Sequence, residues 1–439
     1  METKQHDVII IGGGISGTAL LYLLARYTDL KSIALVEKYK GIATVNSHGR
    51  NNSQTLHCGD IETNYSLEKA LSVQASAAMV VNYARQLPSF EHILHKYSKM
   101  VLAVGEQECD VLQERYQEFS PHYKAMQLWD ADGISRVEPN VVWGRNERIA
   151  AVGATDEYSA VNFQALADSF VTQAKSTDKN IDVFLGTKIK KINDPGNGFE
   201  LTTHGRTLKA KSVVVSAGGH SLLFAHRMGY GKQFSCMPMA GSFYFTPDIL
   251  RGKVYTIQND KLPFAAIHGD PDLLLGGKTR FGPTALMLPM LERYNWKTIP
   301  DFMHLFSVEA SVMKVMWDLF KIADIRNYMF KNFLFEIPFL RQRLFLKEAR
   351  KIVPSLQLQD LTFAKRVGGV RPVMIDKENR KLLMGEAKIN PGNGIIFNMT
   401  PSPGATSCLQ NAEQDLRILV EHLGCEFSED KLNDELKAS

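Results

Sequence analysis

The chain predicts an α/β fold carrying a second α+β unit, and three observations support that expectation. Val8-Ile9-Ile10-Ile11 is a short β-branched run that reads as a strand buried on both faces of a parallel sheet. It leads directly into Gly12-Gly13-Gly14-Ile15-Ser16-Gly17, after which Ala19, Leu20, Leu23, Leu24 and Tyr27 recur at helical spacing. Ser32-Ile33-Ala34-Leu35-Val36 then reads as a second strand and ends on Glu37, 20 residues after Gly17. Strand, Gly-x-Gly-x-x-Gly turn, helix, strand and acid, in that order, make a Rossmann-type dinucleotide-binding unit.

Each part has its own task. Gly12 permits the tight turn, Gly14 lets a pyrophosphate approach the backbone, and Gly17 lets helix and strand pack closely. Ile15 and Ser16 open a helix whose N–H groups and positive dipole end face that pyrophosphate. Glu37, with Lys38 beside it, is placed to accept hydrogen bonds from a ribose diol, which disfavours a 2′-phosphate and leaves NAD or FAD.

Three later features choose FAD. No long alternation of strands and helices completes a six-stranded NAD domain. A β-rich return comes instead at Lys188-Ile189-Lys190-Lys191-Ile192, Phe199-Glu200-Leu201 and Ser212 to Gly219, the last including Ala217 and Gly218. Gly368-Gly369-Val370-Arg371-Pro372 and Thr400-Pro401-Ser402-Pro403-Gly404-Ala405-Thr406 then bring the C-terminus back as a glycine-rich loop and helix start. N–H groups at Gly404, Ala405 and Thr406 suit negative charge at the pyrimidine edge of a reduced flavin.

Composition narrows the class. The 439 residues are 44% hydrophobic and 22% charged, ordinary globular usage that excludes a disordered, collagenous or coiled-coil chain. A net charge of +4 does not suggest a nucleic-acid binder. No run of eighteen apolar residues occurs, so no spanning helix is expected, and Val8–Ile11 is too short for a signal peptide. Five scattered cysteines without a Cys-x-x-Cys pair argue against a disulfide framework or zinc site and fit a reducing cytoplasm; no metal is expected.

Beyond the opening glycines, the chain carries Ser47-His48-Gly49-Arg50-Asn51-Asn52-Ser53-Gln54-Thr55-Leu56-His57 with Asn64-Tyr65-Ser66. Val137-Glu138-Pro139, Thr155-Asp156, Val161-Asn162-Phe163, Phe281-Gly282-Pro283-Thr284-Ala285 and the 400–406 segment follow. With these motifs it resembles the FAD-dependent oxidoreductases of the D-amino-acid oxidase type, whose nucleotide-binding domain is glutathione reductase-like, and within them the malate:quinone oxidoreductase family. The resemblance is weaker over about 85–150 and 285–365. The 52–59 and 401–406 segments also resemble the L-2-hydroxyglutarate oxidase family; Asn51-Asn52 and Val161–Phe163 favour the malate family. The resemblance implies FAD, oxidation of L-malate to oxaloacetate within the tricarboxylic acid cycle, and delivery of electrons to membrane quinone.

It also implies site residues. Arg371, in a Gly-x-Arg-Pro turn, matches the carboxylate-binding arginine of similar amino-acid oxidases, and a guanidinium fork fixes a carboxylate in distance and angle. A dicarboxylate calls for a second cation, for which Arg50, Lys278 and Arg280 are candidates, Arg50 slightly preferred for its loop. The hydroxyl proton calls for a base, and histidine suits neutral pH; His57, ending the flavin-side loop, and His268, with Asp270 nearby, both remain open. By family position Thr44, Ser47, Asn51 and Ser53 are candidates for the cofactor cradle. Cys58 reads as an ordinary buried thiol rather than a covalent flavin link.

Residues 314–351 hold nine Lys and Arg against four acids, the whole basic surplus of the chain, among Trp317, Phe320, Tyr328, Phe330, Phe333, Phe335, Phe339 and Phe345. Such a segment suits helices lying in a lipid headgroup layer, broken at Pro338, and equally an amphipathic pair within the substrate domain; quinone chemistry favours the membrane. The expected enzyme is therefore cytoplasmic and peripheral to the inner face of the cytoplasmic membrane. Its FAD-binding domain is expected at 1–75, 152–235 and 364–439, and its substrate domain at 76–151 and 236–363. Helical periodicity is clearest at Leu67 to Leu87 and Gln410 to Leu423.

Overall fold

A computed structural model describes residues 5–258, 266–306, 309–383, 387–400 and 403–438; Pro401 and Ser402 of the C-terminal motif lie outside the described residues. Strand Gln5–Ile11 lies at the centre of a mixed sheet, parallel to Ser32–Val36 on one side and to Thr207–Val215 on the other. Asn180–Phe184 extends the first side and Ile395–Met399 the second, both in parallel register. Val8, Ile9 and Ile10 are fully buried, as a strand covered on both faces requires. Helix Ile15–Tyr27 buries all but two of its thirteen residues, packed between helices Phe163–Lys175 and Cys408–Leu423. This is the expected α/β class with its Rossmann-type unit.

A second, largely antiparallel sheet draws its strands from the middle of the chain and includes Lys99–Val104, Ile149–Ala154, Tyr244–Pro247, Lys253–Thr256, His268–Pro271 and Lys278–Gly282. A smaller sheet pairs Phe234–Ala240 with Val370–Asp376, flanked by Leu286–Met287 and Lys381–Leu383. Arg371 lies on the Val370–Asp376 strand of this sheet, in register with Met239. The helix expected from Leu67 runs to Arg85, and Ser66 caps it by accepting the Lys69 N–H. All five cysteines are free.

The basic segment folds as three helices, Ala310–Lys321, Ala323–Leu334 and Arg341–Ile352. The gap at Pro338 falls where expected, with Phe339 at positive φ; the elbow at Ile322, where the chain turns extended, is an additional break. Trp317, Phe320, Ile322, Phe330, Phe333 and Phe339 are exposed, Phe339 at 95%. Phe335 and Phe345 are not part of that face. Both are buried, Phe345 stacked on Tyr244 with ring centroids 4.0 Å apart, so they belong to the core under the second sheet. Among the described residues no helix is long and apolar enough to cross a membrane.

Candidate active site

An elongated cavity of about 1080 Å³ begins over the first glycine turn and reaches Arg371 and the helices after residue 310. At its first end, Gly12 takes φ +115°, and a Cβ there would lie 2.3 Å from the Ser216 carbonyl oxygen, so only glycine fits. The backbone at Gly14 is open to the cavity, with nothing nearer to a Cβ than Ser47 Oγ at 3.4 Å. The following helix has no acid in its first turn, leaving its positive end unquenched. The Ile15 N–H donates to Ser47 Oγ at 3.0 Å, and Ser16 Oγ lies 3.3 Å from Thr400 Oγ1.

Glu37 lines the same end. Its two carboxylate oxygens accept the N–H groups of Gly13 at 2.7 Å and Tyr39 at 2.8 Å, which fix its position and leave lone pairs for ribose hydroxyls. An anion-receptive helix end, a fixed ribose acceptor and a long cavity are a donor set that fits FAD.

At the far end the cavity meets Arg371, His57 and His268. Arg371 keeps little of its surface open, and burial is the main cause pulling its pKa down. No carboxylate lies within salt-bridge distance of it among the described residues; the titratable groups around it are the neutral phenols of Tyr328, Tyr255 and Tyr65. A buried guanidinium without a counter-charge is a receptor for an anion.

His57 Nδ1 lies 2.6 Å from Glu62 Oε1, and Glu62 Oε2 accepts the Gly59 N–H at 2.9 Å. Burial would raise the Glu62 pKa, but the hydrogen bond and charge of His57, with Lys99, hold it below the usual value. With Nδ1 committed to Glu62, Nε2 is the nitrogen left for chemistry. His268 Nδ1 is 2.7 Å from Asp270 Oδ2, but the two atoms are not aligned as a hydrogen bond. Its ring is stacked on Tyr255, centroids 4.3 Å apart, and burial lowers its pKa.

The sequence profile of the FAD-dependent oxidoreductases matches residues 7–410. Over 447 aligned residues the chain is 49% identical to a probable malate:quinone oxidoreductase of Campylobacter jejuni, covering 99% of this chain and 100% of that one. It is 45% identical to the malate:quinone oxidoreductase of Helicobacter pylori strain 26695, covering 97% and 96%. The chain belongs to the malate:quinone oxidoreductase family. Similarity to a mitochondrial L-2-hydroxyglutarate dehydrogenase of Nematostella vectensis is 24% over 93% of this chain and 89% of that one. Among solved structures, the glycine oxidase of Geobacillus kaustophilus shares the fold at a TM-score of 0.66 and 17% identity, covering 95% of both chains. Like the rest of the family, this chain is an FAD-dependent flavoprotein oxidoreductase.

Of the other residues expected at the cofactor, Lys38, Thr44, Ser47, Asn51, Ser53, Ile189, Ala217, Gly218, Gly404 and Ala405 all line the cavity. Lys38 is ion-paired with Glu292, and Asn51 donates to the Val45 carbonyl at 2.8 Å, bracing the loop. Two lie just behind the wall. A Cβ on Gly17 would sit 2.0 Å from the Gly12 carbonyl oxygen, so it seats the helix on its strand, and Thr406 Oγ1 accepts the His57 N–H at 3.1 Å.

The three candidates for a second cation do not line the cavity. Arg50 is turned outward by the short helix Gly49–Asn51 onto His48, and Lys278 is exposed at the start of its strand. Arg280 is fully buried, 3.4 Å from Asp272 and donating to the Gly49 carbonyl at 3.1 Å. Cys58 is also outside the lining, and burial pushes its thiol up to about 12. Glu62 and Tyr255 were missed. Glu62 was visible only as an acid five residues beyond His57 in a polar loop, and Tyr255 carried no signal at all.

Proposed function

We propose that this enzyme oxidises L-malate to oxaloacetate and passes the electrons to membrane quinone. The observation that carries the substrate reading is Arg371, a buried cation in the cavity with no carboxylate partner among the described residues. Its fork holds one carboxylate of the 2-hydroxy acid and thereby sets the height of the carbon to be oxidised. His57 Nε2 takes the hydroxyl proton, and Glu62 holds the ring in that tautomer and balances the imidazolium that forms. As the carbonyl forms, the carbon-bound hydrogen leaves with its electron pair; FAD, when bound, supplies the hydride acceptor. Glu37, the glycine turn and the turn at Gly404–Ala405, which precedes the helix Cys408–Leu423 rather than opening it as expected, hold the cofactor through its ribose, pyrophosphate and ring edge. The similarity of 45–49% to malate:quinone oxidoreductases, against 24% to the hydroxyglutarate enzyme, supports malate over its homologue.

The FAD-binding domain comprises 1–75, 152–235 and 364–439 and the substrate domain 76–151 and 236–363. The enzyme docks on the inner face of the cytoplasmic membrane through the helices of 314–351. Exposed Trp317, Phe320, Ile322, Phe330, Phe333 and Phe339 beside Lys and Arg support that reading, because basic and apolar side chains together suit an anionic headgroup layer. The test is anaerobic mixing of the yellow protein with L-malate, L-2-hydroxyglutarate and L-lactate, followed by quinone. Bleaching by malate first and recovery with quinone is the expected result; bleaching by another acid alone rejects malate.

A further inference from the structure

The cavity has a limb that neither malate nor the polar parts of the cofactor explains. In the smaller sheet, Met239 stands opposite Arg371, Met237 opposite Val373 and Leu382 opposite Ile375. Opposed residues of an antiparallel pair share a face, and so do alternate residues of one strand, so these six line up on a single face. Helix Ala310–Lys321 covers the Val373–Ile375 end of that face with Val312 and Val315, all buried together. The cavity is walled by Met239 and Val373 on the Arg371 side of this face and by Leu382 opposite Ile375, with Ala285, Leu319 and Ile325 also in its lining. An ionised dicarboxylate gains nothing from such walls and would lose its hydration.

We propose that this apolar limb is the quinone site and that quinone reaches it past the helix elbow at Lys321–Ala323. The inference rests on the malate:quinone reading and adds the location. A quinone head is flat, uncharged and lipophilic, which matches six apolar walls ending at a guanidinium. Leu319 and Ile325 flank the elbow on the inside, while Trp317, Phe320 and Ile322 are exposed around it. The elbow therefore joins the cavity to the face proposed to lie on lipid, and an isoprenoid tail leaving there stays in an apolar medium. At the elbow Lys321 is paired with Asp318 at 3.3 Å, with Asp324 and Arg326 following, and Arg380 and Lys381 line the cavity. The exchange balances: malate gives up two electrons and two protons in becoming oxaloacetate, and quinone takes up two of each in becoming quinol. Arg371 and Val373, alternate residues on one strand, place the two substrates on adjoining stretches of one surface.

The test is photolabelling of the holoenzyme with a short-tailed azidoquinone, followed by peptide mapping. Label within 319–325 and around 382, competed by unlabelled decylquinone, is expected. In Leu319→Trp and Leu382→Trp, which fill the limb, labelling should fall about tenfold and the KM for quinone should rise by a similar factor. Bleaching by malate in each variant checks that flavin and fold are retained; where one fails to fold, the other variant and the wild-type map still decide. Label elsewhere, or undiminished label in a filled limb, overturns the proposal. Displacement by a long-chain fatty acid but not by decylquinone would assign the limb to a lipid chain and equally overturn it. A wild type that labels in the limb but is not bleached by malate would instead sink the malate reading alone.

Discussion

Replacing Arg371 by leucine removes the guanidinium while keeping an apolar side chain of moderate size in the cavity. In the free protein this cation has no carboxylate within reach among the described residues, and its burial already opposes its charge. A bound carboxylate supplies the missing counter-charge through two parallel charge-assisted hydrogen bonds, each worth about 1.5–3 kcal/mol. Loss of both should lower kcat/KM for malate by roughly 10²–10⁴-fold. Arg371→Lys keeps the charge and one bond, so its loss should be roughly 10–10²-fold, carried mainly in KM. The same reasoning gives a sign for stability. Without ligand, Arg371→Leu should melt no lower than wild type, because an unpaired charge has been taken out of a poorly hydrated site. With malate at a hundred times its Kd, wild type should gain about 2.7 kcal/mol and the variant almost nothing. Anaerobic stopped-flow bleaching and thermal melts with and without malate measure both. A folded, yellow Arg371→Leu protein with unchanged KM and an unchanged melting gain would refute the anchor.

Three other outcomes are expected. Glu62→Gln removes the carboxylate paired with His57 Nδ1, so the pH dependence of the bleaching rate should change. Its maximal rate should fall about 10²-fold, and Glu62→Asp should restore part of it; a pH profile identical to wild type would exclude the pairing. Glu37→Arg deletes the ribose acceptor, and flavin content after gel filtration should drop, with FAD affinity weaker by roughly 10–10²-fold. Phe330, Phe333 and Phe339 changed together to Ser should reduce sedimentation with anionic liposomes while malate bleaching is kept. Phe335→Ser belongs to a different class of change, because emptying a buried phenyl site destabilises by about 3–5 kcal/mol and would confuse docking with unfolding.

What the sequence revealed follows from how locally each feature is encoded. The first strand, glycine turn, helix and Glu37 are contiguous, and hydrophobic period and glycine placement describe them almost completely. Arg371 was singled out because its Gly-x-Arg-Pro motif resembles one associated with a carboxylate; the structure places it in the strand Val370–Asp376 rather than in the expected turn. The second cation was not legible, because whether Arg50, Lys278 or Arg280 points inward depends on strand phase and on distant partners. Arg280 is occupied by Asp272 and by a carbonyl more than two hundred residues away. Periodicity likewise showed where the basic helices lie but not which of their aromatic residues face out. Phe333 and Phe335 differ by two positions and end on opposite sides of the wall.

The two carboxylate–histidine pairs at one cavity would be equivalent on composition, and their surroundings separate them. Asp270 has His268 for a neighbour, but it also faces Lys253 Nζ at 3.3 Å and lies in the field of Arg280. Its charge is thus already balanced, and a proton on His268 would add a cation to a buried cluster rich in them. The stacking of that ring on Tyr255 and its burial both favour the neutral form. Glu62 is in the opposite position. Lys99 is paired with Asp60 at 2.7 Å and with Glu157 at 2.9 Å, so that among the described residues His57 is the side chain ion-paired with the Glu62 carboxylate. A proton taken by His57 completes an ion pair, whereas one taken by His268 breaks a balance. Since a base must bind its proton in the transition state, we propose His57 rather than His268 for proton removal, with His268 stacked on Tyr255 at the cavity wall.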